Sequence, residues 1–334
     1  MTLSLKADAG RVSISGVLRK ASGLSAAGLI ASALALPTSI LLGRWLGAYN
    51  YGRAQWVLIF YGYAALLRTG AFDGASRAIV HHRYRGEPEE AVKVQNVGLS
   101  VELAFAVFPG AALALAALAV DDPLRRLGLL LAPIAAITGT LAACLGGLRA
   151  VREEFAIVAR ITTLRGFLYP ALTLMGASLI GPAALFVVPP VTDIIVSIGY
   201  ALSGGRLDIH VDLNRRIIGR LLRTGIPFGL LAIVYWAYRL VGSTAVAFAL
   251  PPVALGIYVF AAGPVAVLAR AVASLHAVIR PVLWGRLARE EGEHSWADDT
   301  RHLTWVMLIV GGAATSVGQA VFGPMVRAAA PQFH

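Results

Sequence analysis

The sequence predicts an all-α, polytopic membrane protein with about nine transmembrane helices. Of its 334 residues, 57% are apolar and 14% are charged, against roughly 25% charged in an ordinary soluble domain. The mean hydropathy is +0.72. Apolar runs of about 20 residues recur along the whole length, each long enough to cross a hydrocarbon core about 30 Å thick at about 1.5 Å per residue.

The runs can be taken in order. The first, 21 to 43, follows a basic segment (Lys6, Arg11, Arg19, Lys20) like the start of a secretory leader. Its apolar part exceeds the roughly 7 to 15 residues of a leader, so it reads as an uncleaved first helix. The second, 54 to 80, carries Arg68, Asp73 and Arg77. The third, 96 to 120, has Glu102 near its start, where water or a loop arginine is expected to meet it. The fourth, 127 to 147, holds Cys144, the only cysteine, which excludes an intramolecular disulfide. The fifth and sixth, 161 to 181 and 183 to 203, meet at a Gly181-Pro182 turn, and Asp193 follows Pro189 and Pro190 inside the sixth. The seventh, 226 to 249, contains Tyr235, Trp236, Tyr238 and Arg239; the eighth, 254 to 281, contains Arg270; the ninth is 303 to 323.

A net charge of +11 raises the question of a nucleic-acid partner, and the positions of the charges answer it. With a cytoplasmic N-terminus, 19 of the 29 Lys and Arg fall in the tail and the cytoplasmic loops, 5 fall on the opposite side and 5 within spans. That bias is the positive-inside rule, and it explains the basicity without nucleic acid. The seven histidines are scattered, and even "HHRYR" at 81 to 85 lacks further ligands at metal spacing. No metal or cofactor is expected.

Sliding the chain along itself by 204 residues aligns Leu18 and Arg19 with Leu222 and Arg223, Leu46 with Leu250, Gly52 with Gly256, and Arg85, Glu87 and Glu89 with Arg289, Glu291 and Glu293. Six spans separate equivalent points, an even number, so the repeats are parallel, with a substrate pathway expected between them. The expected organisation is a six-helix lobe over 1 to 212 and a partial second lobe of about three helices over 213 to 334. A six-plus-three arrangement leads to the expectation that the chain is C-terminally incomplete; a nine-helix protein that dimerises is the alternative.

Two stretches carry a resemblance. "LLGRWLGAYNYGRAQWVLIFYGYAALLRTGAFDGASRAIVHHRYRGEPEEA", 41 to 91, resembles helices one and two of the polysaccharide transporter and O-antigen flippase family. That family belongs to the multidrug/oligosaccharidyl-lipid/polysaccharide exporter superfamily. "LLRTGIPFGLLAIVYWAYRLVGSTAVAFALPPVALGIYVFA", 221 to 261, is similar to the start of the family's second lobe. The resemblance implies two lobes around a central cavity and a non-enzymatic flippase of polysaccharide biosynthesis at the cell envelope. The implied cargo is a polyprenyl-pyrophosphate-linked oligosaccharide, moved between leaflets of the bacterial cytoplasmic membrane. It does not identify the sugar or a coupling ion.

Ionisable residues at membrane depth are costly and usually face protein or a wet cavity. Arg68, Arg239 and Arg270 fall near the centres of the second, seventh and eighth helices and are the candidates for a cationic cavity, since guanidinium matches phosphate in geometry and charge. Arg77 either joins them or snorkels to the interface. The alternative is internal neutralisation: Asp73 lies one helical turn from Arg77 and can pair with it, and Asp193 either balances an arginine or carries a coupling proton. Tyr235 stands beside Arg239 for stacking on a sugar or a guanidinium, or for packing. Gly70 and Gly74 either distort the second helix or form a close-packing patch.

Three other function classes remain, one of them a purely structural membrane subunit. A drug or other lipid exporter of the same superfamily would favour uncompensated acids in its cavity if its substrates were cationic. A membrane polysaccharide polymerase or ligase would need positioned acid, base or nucleophilic groups on the outer face, where Asp121 and Asp122 are the only acids in the loops.

Overall fold

The computed structural model describes residues 14–263 and scattered helical positions between 301 and 316. All regular elements among them are helical. They are α1 (Ile14–Leu66), α2 (Ala71–Tyr84), α3 (Pro88–Ala116), α4 (Pro123–Val151), α5 (Phe155–Ile180), α6 (Ala184–Leu202) and α7 (Arg215–Ala249), followed by α8 (Pro252–Gly263). Among the described residues, four stretches are long and apolar enough to cross a membrane: Pro88–Ala119, Pro123–Val151, Phe155–Leu202 and Arg215–Ala249. Phe155–Leu202, at 48 residues, supplies about 70 Å of helix, enough for two crossings, and it turns at Gly181. The chain is a multi-pass membrane protein by length and composition of its helices.

Two features depart from the expected spans. Helix α1 runs through the first span and into the second, with a kink at Gly47 (φ 70°, ψ 159°) dividing it into two legs. The first leg packs on α5, where Gly166 meets the backbone of Ala31. The second leg runs back from the α3–α4 turn, where Arg53 bonds Asp122. More consequentially, the expected second helix is not continuous. It ends at Leu66 and restarts at Ala71, and Gly70 adopts φ 72°, a left-handed conformation that side-chain-bearing residues rarely take.

Two apolar clusters stabilise the described bundle. One, near the α3–α4 turn, joins α1 to α4 and α6 through Val57, Leu129 and Phe186. The other, near the opposite end, joins α2 to α6 through Phe72, Leu145, Leu148 and Val196. That opposite end holds most loop arginines of the described residues and is called the basic end below. Arg149, fully buried there, donates to Tyr200 O (3.0 and 2.8 Å), to Gly205 O (3.0 Å) and to Glu154 Oε2 (2.7 Å). Its guanidinium thus fastens the end of α6 to the α4–α5 turn.

After α6 the chain runs without helix from 203 to 214. Gln95 donates to Asp208 O, Asn96 lies 2.9 Å from His210 Nδ1 and Ser100 accepts from Asp212 N, so α3 holds this strap along its length. The expected boundary at 212 to 213 falls within it. Asn214 then caps α7 by accepting from Arg216 N and Ile217 N.

Helix α7 lies along α2 and the second leg of α1 through glycines. A methyl at Gly74 would strike Leu221 O, and one at Gly70 would strike Gly225 O. That contact is reciprocal, since a methyl at Gly225 would strike Gly70 O, and so is the one at the far end, where Gly52 abuts the carbonyl of Pro252 and Gly256 abuts the carbonyl of Ala48. Gly52 and Gly256 are equivalent at the 204-residue offset, as are Ala48 and Pro252.

Candidate functional site

Two cavities flank the second leg of α1, and they separate the arginines that the sequence grouped together. The larger, of about 860 Å³, lies between α1 and α5 on one side and α7 and α8 on the other. Thr38, Ser39 and Leu42 come from the first leg of α1, Tyr51 and Gln55 from the second leg, Tyr169 from α5, Arg239 and Ser243 from α7, and Tyr258 from α8. Helical spacing brings Tyr51 and Gln55 to one face. Arg239 is the single charged side chain among the described lining residues, and its guanidinium lies 5.1 Å from the centre of the Trp236 ring. Tyr235 packs edge-on against Trp236 with ring centres 5.6 Å apart and is otherwise exposed; it is not among the residues lining this cavity.

The smaller cavity, of about 170 Å³, lies between the second leg of α1, α3 and α4, and it contains Arg68 and Glu102. Arg68 sits in the helix break rather than at the centre of a continuous helix, and its Nε donates to Glu102 Oε1 at 2.9 Å. Thr69 Oγ1 donates to Glu102 Oε2 at 2.6 Å, and Phe72 N approaches the same oxygen at 3.5 Å. The α2 N-terminus therefore faces a carboxylate from a neighbouring helix, the favourable arrangement for its unpaired N–H groups and dipole. Glu102 is 2% exposed and lies midway along α3. Of the two partners expected for it, water or a loop arginine, Glu102 meets an arginine, Arg68 of the non-helical break; because α3 begins at Pro88, well before the apolar run, Glu102 lies midway along its helix rather than near its end. Of the two readings of Arg68, internal neutralisation is the contact observed.

The other candidates lie elsewhere. Asp73 is half-buried in the first turn of α2, and Arg77, one turn on, is exposed. Asp193 in α6 is met by Arg165 Nη2 of α5 at 2.6 Å, without the geometry of a hydrogen bond. An arginine thus balances it. Arg270 lies outside the described residues. Gly70 and Gly74 do both of the things considered for them: Gly70 permits the break, and both admit the α7 backbone.

At the α3–α4 turn, Arg53 donates to both oxygens of Asp122, with Nε at 2.8 Å. Asp122 also caps α4 by accepting from Leu124 N and Arg125 N. The Arg53 hydrogen bond, and then the backbone donors, hold the Asp122 carboxyl below the usual carboxylate range. One of the two loop acids considered for chemistry on this face is therefore committed to structure. Among the described residues no group of three or more His, Cys, Asp or Glu side chains is placed to hold a metal.

Sorting candidates by charge missed Tyr51, Gln55, Tyr169, Tyr258 and the hydroxyls of Thr38, Ser39 and Ser243. The available signal was uncharged polar residues interrupting apolar runs. Glu102 was visible as the one acid of the third span, but its partner was not.

No family model matches the sequence, and no curated protein matches it. Solved structures do. The chain is similar to a MOP superfamily transporter from Pyrococcus furiosus described as having a binding pocket of reverse polarity, at 13% identity and a TM-score of 0.60, covering 95% of this chain and 73% of that one. It is similar to MATE in the straight conformation at 15% identity and a TM-score of 0.64, covering 90% and 71%. A multidrug resistance MATE family transporter of the MOP superfamily, in an outward-facing conformation, matches at 14% identity and a TM-score of 0.58, covering 95% and 73%. At such identities the likeness is one of fold: the chain has the all-helical membrane fold of the MOP superfamily transporters.

Proposed function

We propose that this protein is a flippase of the cytoplasmic membrane, moving a polyprenyl-pyrophosphate-linked oligosaccharide between leaflets by alternating access. The observation that carries the reading is the composition of the 860 Å³ cavity. Tyrosine rings, an amide and hydroxyls can stack on and hydrogen-bond a sugar, while a single guanidinium suits a pyrophosphate. Cations near a cavity of this fold attract an anionic headgroup, and the lipid tail remains in bilayer. Arg239 is assigned to the anionic group, and Arg270, expected on the helix after it, is the second cation. Arg68, Asp73 and Asp193 act in this reading by positioning helices, Arg77 by meeting the interface, and Tyr235 by packing on Trp236.

The related reading, export of cationic drugs, follows from one neighbour's description as a multidrug resistance transporter. The described cavity walls carry an arginine and no acid, which disfavours a cation as cargo. The two readings separate in proteoliposomes. A fluorescent polyprenyl-pyrophosphate-linked sugar, scored by quencher accessibility in each leaflet, is expected to be flipped, and ethidium is expected not to be taken up. Arg239→Gln should slow flipping by roughly 10- to 100-fold, the range for one hydrogen bond to a charged group. Ethidium transport without glycolipid flipping, or unchanged flipping by Arg239→Gln, overturns the assignment.

A further inference from the structure

We propose that Arg83 and Arg152 form a binding pocket for the phosphate of an anionic phospholipid headgroup at the basic end of the bundle. The pocket, of about 310 Å³, lies between the end of α2 and the α4–α5 turn and is lined by Val80, Arg83, Tyr84, Val151, Arg152 and Glu153. This proposal does not depend on the cargo.

The pocket is built rather than incidental. Arg152 is half-buried, and its Nη2 donates to Gln95 Oε1 at 2.8 Å. Gln95 is itself 1% exposed, and its amide nitrogen donates to Asp208 O. The guanidinium is therefore held in place from behind. Both acids of the adjoining turn are engaged with other partners: Glu153 accepts from the Tyr84 hydroxyl at 2.7 Å and Glu154 from Arg149 at 2.7 Å.

Cations near helix C-termini often do no more than answer the last carbonyls and the dipole. Here backbone N–H groups already cover those carbonyls. On α2, Arg85, Gly86 and Glu87 donate to His81, Arg83 and His82; on α4, Arg152, Glu153 and Glu154 donate to Leu148, Ala150 and Arg149. What remains is two guanidiniums and the Glu153 carboxylate around one cavity, a net positive charge, with neither guanidinium in an ion pair among the described residues. Burial first, partly offset by the Glu154 charge and reinforced by those of Arg83 and Arg149, presses Arg152 below its ordinary pKa, so a further anion would relieve the arrangement.

The height of the pocket identifies the anion. It lies where α2 and α4 end and α3 begins, at the level of headgroups for helices of this length. Its floor is Val80 and Val151, both buried, so an acyl-linked glycerol has an apolar surface beside the phosphate. Basic pockets between transmembrane helices at this level suit anionic lipid headgroups.

The test uses the purified protein in mild detergent, with phosphatidylglycerol and phosphatidylcholine adducts counted by native mass spectrometry. The wild type is expected to prefer phosphatidylglycerol. Arg83→Gln, at an exposed position, should weaken it about fivefold, and Arg83→Gln/Arg152→Gln about 25-fold, at roughly one elementary charge per step. Arg215→Gln/Arg216→Gln, which removes the same charge at the start of α7, should leave it unchanged. Inorganic phosphate titrated at constant ionic strength should not displace the lipid. The proposal is overturned if both single and double variants at 83 and 152 keep the wild-type preference, or if the α7 variant loses it equally. Displacement by inorganic phosphate would make this a free-phosphate site rather than a lipid site.

Discussion

Replacing Glu102 tests the fastening of the helix break directly. In Glu102→Ala, Arg68 loses its partner at 2.9 Å, Thr69 its acceptor at 2.6 Å and the α2 N-terminus its cap. Breaking a fully buried ion pair from one side costs about 3–5 kcal/mol. The Arg68 side chain is 39% exposed to its cavity, so water can share its charge, and about 2 kcal/mol is the better figure for that part. The orphaned Thr69 hydroxyl adds about 1 kcal/mol, and the lost cap about 1 kcal/mol more. The sum is about 4 kcal/mol, or a fall of roughly 8–16 °C in apparent Tm at about 2–4 °C per kcal/mol. Cys144, the only cysteine and fully buried, supplies the assay: a thiol-reactive fluorogenic dye reports its exposure on heating. Arg68→Met/Glu102→Leu removes both charges and should recover at least half of the loss, giving a coupling energy of about 2 kcal/mol. A Glu102→Ala melting temperature within about 2 °C of wild type, or a double variant no better than the single ones, would refute the reasoning.

Two further outcomes are expected in the same assay. Arg149→Ala takes a fully buried guanidinium from the buried carbonyl of Tyr200, from Gly205 O and from Glu154, which is 26% exposed, and should cost about 2–3 kcal/mol, since water can reach the carboxylate; Arg149→Lys should recover little, because one ammonium cannot reach all three acceptors. Asp122, whose pKa is depressed mainly by Arg53, contributes stability that is present above its unfolded pKa and lost as pH falls through its folded pKa. The wild type should therefore lose its advantage over Asp122→Asn, about 1 kcal/mol at neutral pH, on acidification below about pH 4; an advantage that persisted there would remove the charge from the account.

Much of the fold was legible because its signal is local. A run of apolar residues declares a crossing by its own length, and Pro88 and Pro123 at helix starts mark where α3 and α4 begin. The break at Leu67 to Gly70 was legible only as one of two readings of Gly70 and Gly74, because Leu66, Leu67 and Gly70 leave a hydropathy run intact while the carboxylate that meets it comes from Glu102, more than 30 residues away. The same distance hid the partner of Arg68. Asp193 was legible as a carboxylate needing balance, but only packing of α5 on α6 shows that Arg165 provides it. The cavity lining was obscured for a different reason. Thr38 and Ser39 hardly lower the hydropathy of their run and Gln55 carries no charge, so charge alone pointed past them to Arg68, which belongs to another cavity.

The 204-residue offset and the helix break bear on each other. The segment from Ala48 to Tyr84 meets α7 and α8 backbone to backbone at two separated places, at Gly52 with Pro252 and Gly256, and at Gly70 and Gly74 with Gly225 and Leu221, with side-chain contacts between them at Tyr63 with Thr244 and Gly62 with Leu240. Both contacts bring backbone against backbone, so neither slides easily past a side chain, and packed interfaces switch rather than deform. In the alternating-access cycle proposed above, the two sides of the cavity separate at one end while meeting at the other. A rotation about the contact of Gly52 and Gly256, which stand 204 residues apart, would move that contact little and the one at Gly70 and Gly74 more. Leu67 to Gly70, the unwound stretch between them, is where the strain of such a rotation would concentrate, and Glu102 holds that stretch from α3. A bend there would let α2 stay with α7 while the second leg of α1 stays with α4, and the Arg68–Glu102 pair would set how readily the bend occurs.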